Sequence, residues 1–517
     1  MRNRLRSWPG TGLVCRMLFG CTLWIGCVSP ALGASYYVSN SGDDRNMGTA
    51  ASSPWQTLDK VNGFEFAPGD IIHLERGGVW HGQLVPRSGS EKGHVTYTAY
   101  GEGSKPQILG SSEKNHAADW EPAGKNLWRA GPFPCDVGAI IFNDGQTCGS
   151  KVWTNADVDA PHKFCYDQED KTVILYAKQN PATLFDDIEC ALTRHIISQN
   201  GRHHVIYDSL HLAYGSAHGI GGGETHHIIV RNCELCFIGG GHQYSKKTPR
   251  GLGHTRYGNG IEFWNGAHDN LVENCRIWDI FDAGVTNQGS AKNAQYNITY
   301  RHNVIWNCSY SFEYWNRPAD STTHDIYFED NLCFNAGQGA CHGLGAHLMF
   351  FNNSAKTNRF FVRRNVFHNA KNSAITMHLG RWNGLDDLVL SDNIYIQPPD
   401  KTLVRWGDKS FKANAFAEYQ RFAGKDSDSR LVTLRSLALE PASASLRVGE
   451  TRQIEAVVVY SDDTSVKVTP IARFVAADTS VIALEAFGTV HAMRPGKTVV
   501  TGTFQGRSAA TAVVVRP

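Results

Sequence analysis

The chain has almost no net charge, with 50 lysines and arginines against 49 aspartates and glutamates in 517 residues. It also has no basic run of the kind that marks a nucleic-acid footprint, so no nucleic-acid partner is expected. Beyond the first thirty-odd residues there is no long apolar run, and hence no candidate for a spanning helix there. Paired CxxC motifs at zinc-site spacing are missing too. Cys233-Glu234-Leu235-Cys236 stands alone and reads as structural. What the chain does have is glycine, 51 residues of it, together with 13 Trp, 18 Tyr and 24 Phe. That mixture suits a turn-rich β protein with aromatic binding surfaces, and the length suggests two or three domains.

Residues 1–34 read as an export signal. Arg2, Arg4 and Arg6 precede an apolar stretch at 17–28, and Ala31-Leu32-Gly33-Ala34 supplies small residues for cleavage. Leu18-Phe19-Gly20-Cys21 offers lipid attachment as an alternative, although apolar residues follow Cys21 where a polar tether is expected. Cleavage removes four arginines, no acid and three of the 13 cysteines, leaving 46 basic against 49 acidic groups. The expected location is secreted or periplasmic, in a bacterium. Cysteines can pair there, and the clustered Cys135, Cys148, Cys165 and Cys190 are the first candidates.

A repeat emerges from residue 206 onward. Its frames centre on Ser209, Cys233, Cys275, Asn303, Asn331, Asn365 and Asn393. An apolar residue stands three positions earlier: Ile206, Val230, Val272, Tyr300, Phe328, Val362 and Leu390. A period in the twenties with a small polar ladder residue fits a parallel β-solenoid, in which each coil buries its face against its neighbours. Asn suits the inward turn because its side chain can bond the backbone of the next coil. The pairs His203-His204 and His226-His227 fall at one turn of successive coils, where Asp269, Asp325 and Asp387 stand later. Stacked polar turn residues are the preferred explanation for them, with a metal site the alternative. Residues 115–190 break the rhythm and read as an inserted antiparallel segment. A Gly-rich, cationic excursion at 239–258 stands directly before Ile261.

Two segments resemble known families. PGDIIHLERGGVW (68–80) and SGSEKGHVTYTAYGEGSKPQI (88–108) resemble the opening of secreted right-handed parallel β-helix proteins, including polysaccharide lyases of the chondroitinase B and alginate lyase kind. The region 434–517 carries Val448-Gly449-Glu450, the run Asp478 to Val481, Gly488 and Pro495-Gly496. In order and spacing it resembles the bacterial Ig-like domain of group 2. Together these imply an all-β chain: a right-handed single-stranded parallel β-helix at 35–430, then a small Ig-like β-sandwich at 434–517. Such sandwiches act as spacers or as modules that contact a cell surface or glycan. A monomer is expected.

One phrase occurs twice, 51 residues apart: Ile261-Glu262-Phe263-Trp264-Asn265 and Phe312-Glu313-Tyr314-Trp315-Asn316, the second followed by Arg317. Strand side chains alternate faces. With Ile261, Phe263, Phe312 and Tyr314 inward, the glutamates and tryptophans therefore share one solvent-facing groove. The outward rows read Gly221, Glu262, Thr286, Glu313, His347, Thr376, Arg405 and Gly223, Trp264, Gln288, Trp315, Met349, His378. A bland reading makes these exposed strand residues beneath inserted loops. A hydrolase reading makes Glu262 and Glu313 an acid/base pair, two coils apart. A lyase reading gives Gln288 and the carboxylates a hydroxyl or a cation such as Ca2+ to hold, although no motif requires a cofactor. In that reading Arg317, Arg250 or Arg256 offsets a uronate carboxylate, and Lys246, Lys247, Tyr257 or His378 takes the C5 proton. Elimination from an acidic polysaccharide is narrowly favoured, because the 239–258 loop is cationic while the protein is slightly acidic. A non-catalytic adhesin is the remaining class. N-terminal sequencing of the exported protein should find Ser35 first, and Met1 or a lipidated Cys21 would contradict the export reading.

Overall fold

The computed structural model describes residues 33–249, 251–339, 345–380 and 382–517. The export signal therefore lies almost wholly outside the described residues. Three long sheets wind around one axis, and each full coil gives one strand to each. The first sheet runs from Ser35–Val38 through His203–Asp208 and His226–Arg231 to Leu388–Ser391. The second runs from Ile197–Ser198 through Ile261–Trp264, Ala283–Gly289 and Tyr310–Asn316 to Thr402–Trp406, and ends on the antiparallel strand Lys409–Lys412. The third runs from Val79–His81 to Arg430–Leu431. Apart from that final pair all three ladders are parallel, and the chain forms the expected right-handed parallel β-helix.

The asparagine ladder is the spine of this helix. The Asn303 N–H donates to Asn331 Oδ1, that of Asn331 to Asn365 Oδ1, and that of Asn365 to Asn393 Oδ1, each at 3.0 Å. Each amide also returns a bond to a backbone carbonyl of the preceding coil, as Asn365 Nδ2 does to Phe328 O at 2.9 Å. The thiols of Cys275 and Cys233 continue the column, facing Val230 O and Tyr207 O. At its start the register read from the sequence is one residue out. Tyr207 pairs with Val230 and His211 with Glu234, so the ladder position is the buried Leu210, with Tyr207 three before it. Ser209 instead takes the left-handed turn, at φ 59°, that Asn232 takes in the next coil.

Both ends of the core are closed. Trp55 and the short helix Leu58–Gly63 cover the first coil, with Leu58 and Val61 buried and Thr57 capping Lys60 N at 3.1 Å. The helix Phe416–Ala423, ended by Gly424 at φ 62°, covers the last. The insertion is antiparallel as expected, with Val137–Phe142 and Ile188–Leu192 at its centre. Cys148 is disulfide-bonded, but Cys135, Cys165 and Cys190 are free thiols, contrary to the expected pairing. Residues 434–517 build three small sheets around Val458, Tyr460, Val490, Val500 and Val513. Their apolar core is continuous with the outer face of the third sheet, where Trp306, Phe334, Val366 and Ile394 are buried.

Replacing Asn365 by Ala should cost about 2–3 kcal/mol, because it strands the buried Asn331 N–H and Phe328 carbonyl. The urea midpoint is the measurement. An unchanged midpoint would show that the ladder is not the spine.

Candidate active site

Three consecutive strands of the second sheet form the floor of a cleft of about 710 Å3. Glu262 pairs with Thr286, and Thr286 with Glu313; Trp264 pairs with Gln288, and Gln288 with Trp315. The two glutamates are therefore two coils apart on one face, as the repeated phrase predicts. Their exposure is not as predicted: Glu262 is 6% and Glu313 4% exposed, because the cleft is roofed. The roof is an antiparallel hairpin, Gly241–Thr248 with Gly251–Tyr257. Glycines make its attachment close. A Cβ on Gly258 (φ +137°) would sit 2.2 Å from Gly239 Cα, and one on Gly138 would sit 2.5 Å from Gly241 Cα.

A third carboxyl completes the cluster. Asp282 stands at the turn into Ala283–Gly289 and lines the same cleft. It escaped the sequence reading, although counting back by twos from Gln288 and Thr286 reaches it. A second ladder also went unseen. The Asn259 N–H donates to His218 Nδ1 at 2.9 Å, the Ala283 N–H to Asn259 Oδ1 at 3.0 Å, and the His218 N–H to His195 Nδ1 at 3.3 Å. Accepting at Nδ1 leaves the proton of each neutral imidazole on Nε2. His218 Nε2–H therefore donates to Glu262 Oε2 at 3.1 Å. Asn259, its oxygen already engaged, offers its NH2 to the same carboxyl.

The carboxyls differ in their protons. Burial, then the Asp282 charge, pushes Glu262 up to about 8, while Asn259 pulls the other way. The His218 donor also favours its anion. Burial raises Asp282 to about 7 against the hydrogen bond it shares with Glu313. Glu313 is held well above the carboxylate range by burial, Asp282 and Glu262, opposed by Trp315 and Arg317. Trp315 Nε1 donates to Glu313 Oε1 at 3.0 Å, while Oε2 has no N–H or O–H donor. Two carboxyl groups can hydrogen-bond to each other only when one keeps its proton. The cleft thus holds an acid pair, Asp282–Glu313, and a third raised carboxyl, Glu262, whose anion the neutral donors His218 and Asn259 favour. Burial lowers His218 well below the ordinary imidazole range, so it adds no positive charge.

The other expected residues divide. Trp264 and Trp315 meet edge to face at 5.4 Å on the cleft floor, with Gln288 between their strands. Arg317 lies over the Trp315 ring at 3.9 Å. Tyr257 packs its edge against His218 at 5.2 Å, and burial and then Glu262 raise its phenol. Arg256 lines the cleft, but its guanidinium is spent on Gly240 O (2.6 Å), Gly138 O (2.7 Å) and the Phe281 ring, so it anchors the roof. Lys246 and Lys247 are exposed on the hairpin and do not line the cleft. His378 lies off the cleft as well, against Phe351 two coils beyond Trp315. Arg250 falls outside the described residues. In the outward row Glu313 pairs with Met349, not His347. The latter is buried beside Ser311 Oγ, because the coil before it is longer than its neighbours.

No family model matches the chain. It is 34% identical over 95 residues to lacto-N-biosidase of Bifidobacterium longum subsp. longum, covering 17% of this chain and 6% of that protein. It is 34% identical over 82 residues to ice-binding protein 1 of Shewanella frigidimarina, covering 16% and 9%. The matches thus span under a tenth of these curated relatives. Similar solved structures include a glycoside hydrolase (TM-score 0.43, 10% identity, 72% of this chain and 94% of that one). A rhamnogalacturonan lyase (0.37, 10%, 70% and 74%) and the GH136 lacto-N-biosidase from Eubacterium ramulus (0.34, 14%, 77% and 68%) are also similar. Both hydrolases and a lyase appear among them, and at these similarities the chemistry has to be read from the cleft itself.

Because their folded-state values are raised, the buried carboxyls favour folding below about pH 4 and lose that contribution as the pH rises through about 8. Glu313→Gln keeps the Trp315 bond and removes a group that must hold its proton to fold. It should raise the melting temperature at pH 8 and change it little at pH 4. Equal shifts at both would contradict the buried cluster.

Proposed function

We propose that this chain is an exported glycoside hydrolase acting on a largely neutral glycan, with 434–517 an Ig-like accessory module. The observation that carries this reading is the division of three buried carboxyls into an acid pair and a third whose ionised form has its own hydrogen-bond donors. Glycosidic hydrolysis needs one protonated carboxyl to load the leaving oxygen and one ionised carboxyl on the other side of the bond. Glu313, kept protonated by burial and by Asp282, is the acid. Glu262, held by His218 and Asn259, is the base or nucleophile. Trp264, half-buried on the cleft floor, offers a face on which a sugar ring stacks, while Trp315 beside it is buried under Arg317.

Elimination is less well served. Offsetting a uronate takes a free cation, whereas the cleft concentrates acid groups. Of the two arginines among the described lining residues, one is committed to the roof, and the other lies on Trp315. A Tyr257 phenol raised by burial is a poor proton acceptor. Incubation with panels of neutral and uronate glycans should release reducing ends without unsaturated products. Glu262→Gln, Asp282→Asn and Glu313→Gln should each lose at least about a hundredfold in kcat, the low end for acid–base groups. Trp264→Ala should mainly raise KM. Trp315→Ala should lower kcat as well, because it removes the donor to Glu313. Unsaturated products, or undiminished turnover in the three carboxyl variants, would overturn the reading.

A further inference from the structure

Two strands of the first sheet, His203–Asp208 and His226–Arg231, each open on a pair of histidines. The second of each pair is left-handed, at φ 53° for His204 and 54° for His227. The pairing passes from His203↔His226 to Val205↔Ile228 without a register shift, so the left-handed residue of each coil stands out of the ladder at that point. The two turns gather four imidazoles. His203 stacks on His226 at 4.7 Å, and His204 on His227 at 4.4 Å with planes 3° apart. Within each coil the Nδ1 atoms approach to 3.2 Å and 2.9 Å.

Later coils show what the turn alone needs. Asp269, Asn297 and Asp325 take the left-handed position there, and Tyr296 continues the stack from His268 at 4.6 Å. Histidine at both positions of two successive coils is more than turn geometry asks for. His204 is 5% exposed, and its Nε2 makes no hydrogen bond. The exposed Glu91 carboxylate stands 3.3 Å away. One nitrogen each from His204, His226 and His227 lie within 4.8 Å of one another.

We propose that His204, His226 and His227 form a binding site for a divalent transition-metal ion. Imidazole donors suit Zn2+, Ni2+ or Cu2+ and disfavour Ca2+ and Mg2+. A tetrahedral zinc with bonds of about 2.0–2.1 Å wants its ligand atoms about 3.4 Å apart. The half-buried rings of His226 and His227 can close that gap by rotating. The ion would tie two adjacent coils together, with His204 four residues after Asn200 and His226 three after Gly223, both of which line the cleft.

The test uses full-length protein stripped with chelator and titrated calorimetrically with Zn2+ and, separately, Ca2+. The control is the double variant His226→Tyr, His227→Asn, which reproduces the Tyr296-Asn297 pair that the same helix already folds. Wild type should bind one Zn2+ per chain, melt higher with zinc, and give the visible bands of a tetrahedral site with Co2+. The variant should keep the metal-free melting temperature and bind zinc at least tenfold more weakly. Zinc affinity equal in the two proteins, or calcium binding as tight as zinc, would overturn the site.

Discussion

Parallel coils stack at roughly 4.8 Å, and that spacing repeats every side chain's neighbours along the axis. Where the stacked group is an amide, as in the Asn303–Asn393 column, each copy bonds the next and stacking is reinforced. Where it is a carboxyl, copies repel and lose water together. The second sheet and the turn before Ala283 bring Glu262, Asp282 and Glu313 into one cleft, and the helix keeps them there because its register is locked elsewhere by the amide ladder. Stability in one column thus permits frustration in another.

The roof changes the strength of that frustration. Without the hairpin the glutamates would be ordinary surface acids, and burial is the leading cause of every raised value in the cluster. Arg256 is important here even though it serves no substrate. Its bonds to Gly240 and Gly138 fasten the hairpin to the insertion, and the glycine contacts allow the backbones to meet. The cationic loop is mainly a lid that excludes water, which strengthens the electrostatics beneath it.

Much of the fold was legible because its period is long and its ladder residue is chemically distinctive. Asn303 to Asn393 could be aligned by eye, and the two Glu-x-Trp phrases fell on one face by alternation alone. The errors came where the repeat weakens. Leu210 is apolar, so Ser209 beside it was taken for the ladder residue. The longer coil before Ala346 moved the outward row by two. Asp282 was missed because it sits at a turn outside the repeated phrase. The His195–His218–Asn259 ladder was missed because its members share a hydrogen-bonding role and not a residue type. Burial of Glu313 and the engagement of Arg256 depend on the insertion and hairpin folding over the sheet, and no local pattern encodes that.

The account stands on the claim that carboxyls in this cleft hold protons at neutral pH. Carboxyl-carbon NMR of protein labelled at Asp and Glu, titrated in wild type and in the three single amide variants, measures this directly. The account predicts resonances that titrate near 7 to 8, disappear with Glu262 or Asp282, and shift when Glu313 is neutralised. Titration of every carboxyl near 4, the ordinary range for exposed acids, would contradict it.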